Sequence, residues 1–83
     1  MGDHEHNAAA ARFKNSTGQP LMLSVEPWAT EVIIPSGSNF AVLYPTPTGR
    51  EDTSSTEVYT DQITFWCEGE TFEVEVDGQV VHT

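Results

Sequence analysis

Positive charge is almost absent from this chain. Arg12, Lys14 and Arg50 are the only basic residues, against thirteen Asp and Glu, and the formal net charge is −10. Such a surface repels phosphate backbones and anionic headgroups, which excludes nucleic acid and the membrane surface as expected partners. The acidity reads either as a means of staying in solution or as a match for a basic or cationic partner.

Cysteine is equally scarce. Cys67 is the single one, so an internal disulfide and a CxxC-type zinc site are both ruled out. A lone Cys in an apolar strand reads as a small buried hydrophobe, with a reactive or dimer-forming thiol as the alternative. Long hydrophobic runs are missing too: nothing approaches the roughly 20 apolar residues of a membrane-spanning helix. The glycines stand singly at turns, so no glycine-rich phosphate loop can be assembled.

Histidine is confined to the ends, as His4, His6 and His82. Nucleophilic catalysis needs a base beside a nucleophile, and none of these falls at the centre of an expected strand. Cys67 with His82 is the one conceivable pairing. Carboxylates such as Glu26 and Glu31 read as solvated acids, and Glu51-Asp52 lacks the ligand spacing of a calcium loop. The chain is therefore expected to be non-enzymatic and to carry no cofactor.

With 83 residues there is room for one small domain whose core is marginal. The stretch Leu21–Tyr44 organises it. Leu21, Leu23 and Val25 alternate with Met22, Ser24 and Glu26, the period of a half-buried strand. Pro27 ends that strand, and Trp28 follows at the corner as a lid over the core or as a platform for a ligand. Glu31 to Ile34 forms a second strand. Pro35-Ser36-Gly37-Ser38 is a turn, and Asn39 to Tyr44 a third strand with apolar residues on both faces. Its Phe40, Val42 and Tyr44 share one face, and Ala41 and Leu43 share the other.

Before this stretch, residues 1–11 read as a flexible tail, and the domain occupies residues 12–83. Arg12-Phe13-Lys14 is a short first strand, and Asn15 to Pro20 is a turn that also spells a glycosylation acceptor at Asn15-Ser16-Thr17. After it, Pro45 to Thr56 is a long break without apolar residues, either a binding loop or a mobile connection. Glu57-Val58-Tyr59 is an edge strand. Ile63, Phe65 and Cys67 face one way on the next strand, with Thr64 and Trp66 opposite. Glu68-Gly69-Glu70 reads as a hairpin connection, Thr71 to Val76 alternates again, and Asp77-Gly78 is the strongest hairpin signal in the chain. The sum is about seven short strands, an all-β class, and a small antiparallel sandwich or barrel.

Two stretches point to binding. Trp28, Leu43 and Trp66 are the candidate interaction residues. If Leu43 and Trp66 share an uncovered face, they form an apolar patch of the kind that marks protein contact or self-association. Separately, removal of Met1 leaves Gly2-Asp3-His4 at the terminus, where an amine, two backbone amides and an imidazole make a square-planar nitrogen set suited to Cu(II) or Ni(II). Small-molecule binding near Trp28 and the 45–56 loop is a further alternative. The opening MGDHEHNAAAAR has neither the basic n-region nor the apolar core of a secretory signal, and His6 occupies the place of the Ser or Thr of a myristoylation signal. The expected location is cytoplasmic, which a free cysteine suits.

Leu21-x-Leu23-x-x-Glu26-Pro27-Trp28 followed by Pro35-x-Gly37 resembles a family of short bacterial all-β proteins sharing that corner and turn, for which no activity is established. The resemblance covers about half the chain and implies a small all-β domain. A fainter similarity, in Asn15-Ser16, a strand running to Trp28, a Pro-x-Gly turn and Asp77-Gly78-Gln79, is to the β domain of the von Hippel-Lindau protein. It implies a sandwich. That family's domain binds a hydroxyproline-bearing peptide, but no ligand-reading residue carries over to this sequence.

Overall fold

Alternation along Leu21–Glu26 divides the molecule in three dimensions as it does on paper. The computed structural model describes residues 6–47 and 51–81, and among these there are eight strands and no helix. They are β1 (His6–Lys14), β2 (Leu21–Glu26), β3 (Thr30–Ile34), β4 (Asn39–Pro47), β5 (Ser55–Val58), β6 (Gln62–Trp66), β7 (Glu73–Val76) and β8 (Gln79–Val81). Sheet A has the order β1-β4-β7-β8 and sheet B the order β3-β2-β6-β5. The fold is thus the expected small all-β sandwich, with one strand more than the sequence pattern suggests. No helix among the described residues is long and apolar enough to cross a membrane.

The inward-facing sets meet between the sheets. Leu23, Val25 and Phe65 from sheet B and Phe40, Val42 and Val74 from sheet A are all buried there. Each such side chain contributes about 1.5–3 kcal/mol by leaving water. Cys67 lies in the same cluster, as the buried-hydrophobe reading anticipates. Phe13 stacks on Phe40 with ring centroids 5.2 Å apart, closing one end of the core.

Four local readings are corrected. The first strand starts at His6 rather than Arg12, because antiparallel pairing with β4 runs from His6–Pro47 to Lys14–Asn39. A polyalanine stretch has little intrinsic strand preference, so it is the neighbouring strand that sets its conformation. Ala9 and Ala11 are small enough to lie against the core edge. Second, β4 continues through Pro47, which shortens the expected 45–56 break. Third, Glu68-Gly69-Glu70 is no hairpin, since it carries the chain from β6 in sheet B to β7 in sheet A. Gly69 is required there by close approach: a Cβ at this position would lie 2.9 Å from the Cβ of Tyr44. Fourth, β2 and β6 are parallel, from Met22–Gln62 to Glu26–Trp66, within an otherwise antiparallel arrangement. Parallel neighbours require a long crossover, supplied here by everything between β2 and β6.

The turns behave as their chemistry dictates. Asp77 and Gly78 both have positive φ, 51° and 84°, the type I′ geometry that matches strand twist. The Asp77 carboxylate also accepts from Ser38 Oγ at 2.8 Å and from the Asn39 amide at 3.0 Å, tying this turn to the crossing from β3 to β4. Asn15 is the other clamp. It is fully buried, and its Nδ2 donates to the carbonyls of Gln19, Ile34 and Pro35 at 2.8, 3.0 and 3.2 Å. Its Oδ1 accepts from the Thr17 amide and hydroxyl. The glycosylation acceptor therefore serves as internal glue, because its amide faces away from solvent with its hydrogens already engaged.

Candidate functional site

The outward residues of sheet B form a surface unlike the rest of the molecule. Pairing registers define its rows. Glu31, Ser24, Thr64 and Glu57 lie side by side across β3, β2, β6 and β5. One row toward the end of β2 come Glu26, Trp66 and Ser55. One row the other way come Ile33, Met22 and Gln62.

Trp66 stands in an end row of this face, between Glu26 and Ser55. It is 46% exposed, with its ring on the side of β6 opposite Phe65 and Cys67. Its position is fixed, since the indole Nε1–H donates to Glu57 Oε1 at 2.7 Å. Neighbouring groups are also ordered: Ser24 Oγ donates to Glu26 Oε2 at 2.8 Å, and Gln62 Nε2 donates to Thr64 Oγ1 at 3.1 Å. Ile33 at the rim is exposed and apolar, and Met22 beside it is half-buried. Every ionisable side chain in these three rows is a glutamate, whereas Arg12 and Lys14 lie on β1 of the other sheet. The face can thus offer a fixed aromatic plane and carboxylate oxygens together, while Ser24 and Thr64 in the middle row are buried.

The expected pairing of Leu43 with Trp66 does not occur. Leu43 points outward from sheet A, between Ala10 and Glu73, while Trp66 points outward from sheet B. The thickness of the sandwich separates them. Trp28 belongs to neither face. It sits in the β2–β3 corner beside the cis Glu26–Pro27 peptide and packs on Phe72 of the β6–β7 crossing, with centroids 4.7 Å apart. Its ring covers Phe72, which packs at the core edge, and the residue is 40% exposed.

The segment after Pro47 is tied down where it is described. Tyr44 Oη donates to Asp52 Oδ2 at 2.6 Å, and the Glu68 amide donates to Ser54 Oγ at 2.8 Å. Burial, followed by the bond to Asp52, pushes the Tyr44 phenol above its ordinary 10.0. The Tyr44 bond in turn holds Asp52 below its ordinary 3.8. Burial raises the Cys67 thiol above 9.0, so it stays protonated and unreactive near neutrality. A surface hollow of about 270 Å³ lies elsewhere, on sheet A, lined by Arg12, Asn39 and Glu75 over Ala41. It is remote from Trp28 and the 45–56 segment, where a small molecule was expected.

Among the described residues no three His, Cys, Asp or Glu side chains are grouped to hold a metal ion. Gly2, Asp3 and His4 of the expected copper or nickel set lie outside the described residues, as do Arg50 and His82.

The sequence pattern places Thr64 on the face of Trp66 but does not reveal the companions Glu26, Ser24 and Glu57 on the neighbouring strands. The off-phase residues of β2 and β6 were visible in the alternation. What no local pattern signals is that these two strands lie side by side in parallel. Comparison with protein-family models, with curated proteins and with solved structures finds no match.

Proposed function

We propose that this chain is a non-enzymatic, cytoplasmic protein-binding domain that docks its partner on the outer face of sheet B. The observation that carries the reading is Trp66, half-exposed yet locked in place by Glu57. Tryptophan is enriched at the energetic centres of interfaces, and a side chain already fixed loses little entropy on binding. Ile33 and Met22, two rows along the face, add apolar contact, and Gln62 with the exposed Glu31 and Glu57 supplies a polar surround, Ser24 and Thr64 themselves being buried. A non-catalytic role agrees with the buried, protonated state of Cys67, and a reducing compartment agrees with a thiol that has no partner for a disulfide.

Site-specific photo-crosslinking in cells tests this. A photoreactive residue at Ser55, beside Trp66, or at Gln62, two rows along the same face of sheet B, should trap a discrete partner. The same residue at Glu73, on the opposite face, should not. Equal trapping from both faces, or none from sheet B, would remove the basis for the reading.

A further inference from the structure

We infer that the occupant of the sheet B face is an extended, arginine-bearing segment of another protein. This rests on the docking reading above and adds the partner's chemistry. Charge complementarity is the first argument. Glu26, Glu31 and Glu57 are the only ionisable groups in the three rows that end at Trp66, and the molecule's described cations, Arg12 and Lys14, are on β1 of sheet A. A neutral or acidic segment would be repelled or left unmatched, whereas a cationic one is drawn in.

The second argument is the geometry of Trp66. A guanidinium can lie flat on an exposed indole and still donate along its edge to carboxylates. In the register, Glu26 is the immediate neighbour of Trp66 on β2, and Glu57 is bonded to the indole from β5. Carboxylates therefore stand on both sides of the ring. A lysine ammonium, being a compact point charge, would meet one of these features at a time. The third argument excludes a second copy. Packing this face on itself would set Glu26, Glu31 and Glu57 against their own equivalents, and like charges at a desolvated contact oppose association.

The test is a nuclear magnetic resonance titration of the full chain with the hexapeptide Arg-Gly-Arg-Gly-Arg-Gly and with its citrulline counterpart, which keeps shape and loses charge. The Arg peptide should shift the Trp66 indole resonance and the amides of β2 and β6, with affinity falling about tenfold or more as salt rises from about 50 to about 300 mM. Glu57→Gln keeps an acceptor for the indole and removes the charge. Combined with Glu26→Gln, it should weaken binding by about fivefold or more. Trp66→Phe, which retains a ring in the sheet, should weaken it less than Trp66→Ala.

Equal binding of the citrulline peptide at Trp66 would overturn the cationic assignment while leaving the docking face intact. Shifts centred on Glu73, Glu75 and Asp77 instead would overturn it as indiscriminate attraction to acid. No shift from either peptide would also overturn it, and the crosslinking then reports independently on the face itself. A dimer in sedimentation that dissociates on Trp66→Ala would show a second copy to be the occupant.

Discussion

Tyr44 reaches out of the core to donate a 2.6 Å hydrogen bond to Asp52, so one contact joins a core strand to the chain that leaves it. The bond links stability to pH at both extremes. Asp52 is held below 3.8, so its contribution is complete above 3.8 and fades as pH falls through the lower folded value. Tyr44 is held above 10.0, so its contribution is complete below 10.0 and fades as pH rises through the higher folded value. Tyr44→Phe should remove the alkaline dependence of this pair and weaken the acid one. The loss at neutral pH should be about 1 kcal/mol or less, since Asp52 is solvent-exposed. Urea titrations at a series of pH values, with Asp52→Asn as the partner variant, read both arms.

Asn15 carries more. Removing its amide leaves the carbonyls of Gln19, Ile34 and Pro35 without that donor and takes an acceptor from Thr17. Loss of a buried polar network costs about 2–4 kcal/mol, a large share of what a domain of this size has in reserve. Asn15→Ala should therefore lower the urea midpoint sharply or prevent folding at 37 °C. Thr17→Ala, which spares the Nδ2 donors, should cost about 1 kcal/mol. Equal midpoints for the two variants would contradict the hub role.

Gly69 tests the crossing between sheets. A methyl there would meet the Tyr44 Cβ at 2.9 Å and the carbonyls of Pro45 and Thr71 at 3.0 Å. None of these can swing aside, because two are backbone atoms and the third is a Cβ in a core strand. Gly69→Ala should cost about 1–3 kcal/mol by overpacking, measured as a fall in denaturation midpoint. A neutral result would mean that the crossing is looser than its contacts imply.

The alternation of β2, β3, β4 and β6 made the sandwich legible because a strand with one buried face must show it every second residue. The Asp77-Gly78 turn was legible because so few residues tolerate two successive positive φ values. The start of β1 was hidden, since alanine serves any conformation that its neighbour imposes, and here the neighbour lies thirty-odd residues on in β4. Gly69 was misread for a related reason: a glycine between two strands signals a hairpin unless one knows that Tyr44 presses against it. The candidate site suffered most. Trp66 could be seen to face away from Phe65, but Leu43 was joined to it only by assuming that two outward faces were one. Which face belongs to which sheet depends on long-range pairing, above all the parallel register of β2 and β6.

Trp28 and Trp66, similar in exposure, should separate cleanly by experiment. Trp28 is a clamp: its ring lies on Phe72, so it holds the β2–β3 corner against the β6–β7 crossing at 4.7 Å. Aromatic pairs of this kind couple by about 0.5–1.5 kcal/mol beyond their buried area. A double-mutant cycle with Trp28→Ala and Phe72→Ala should return a coupling in that range, each single variant being less stable than the parent. Trp66 has no aromatic partner, so Trp66→Ala should cost the buried half of the side chain and the indole bond to Glu57, together about 1–3 kcal/mol. Binding of the arginine peptide should tell the two apart, lost with Trp66→Ala and kept with Trp28→Ala under conditions where both variants are folded. A Trp28 variant that stayed fully stable but lost binding would move the site from the face of sheet B to its end.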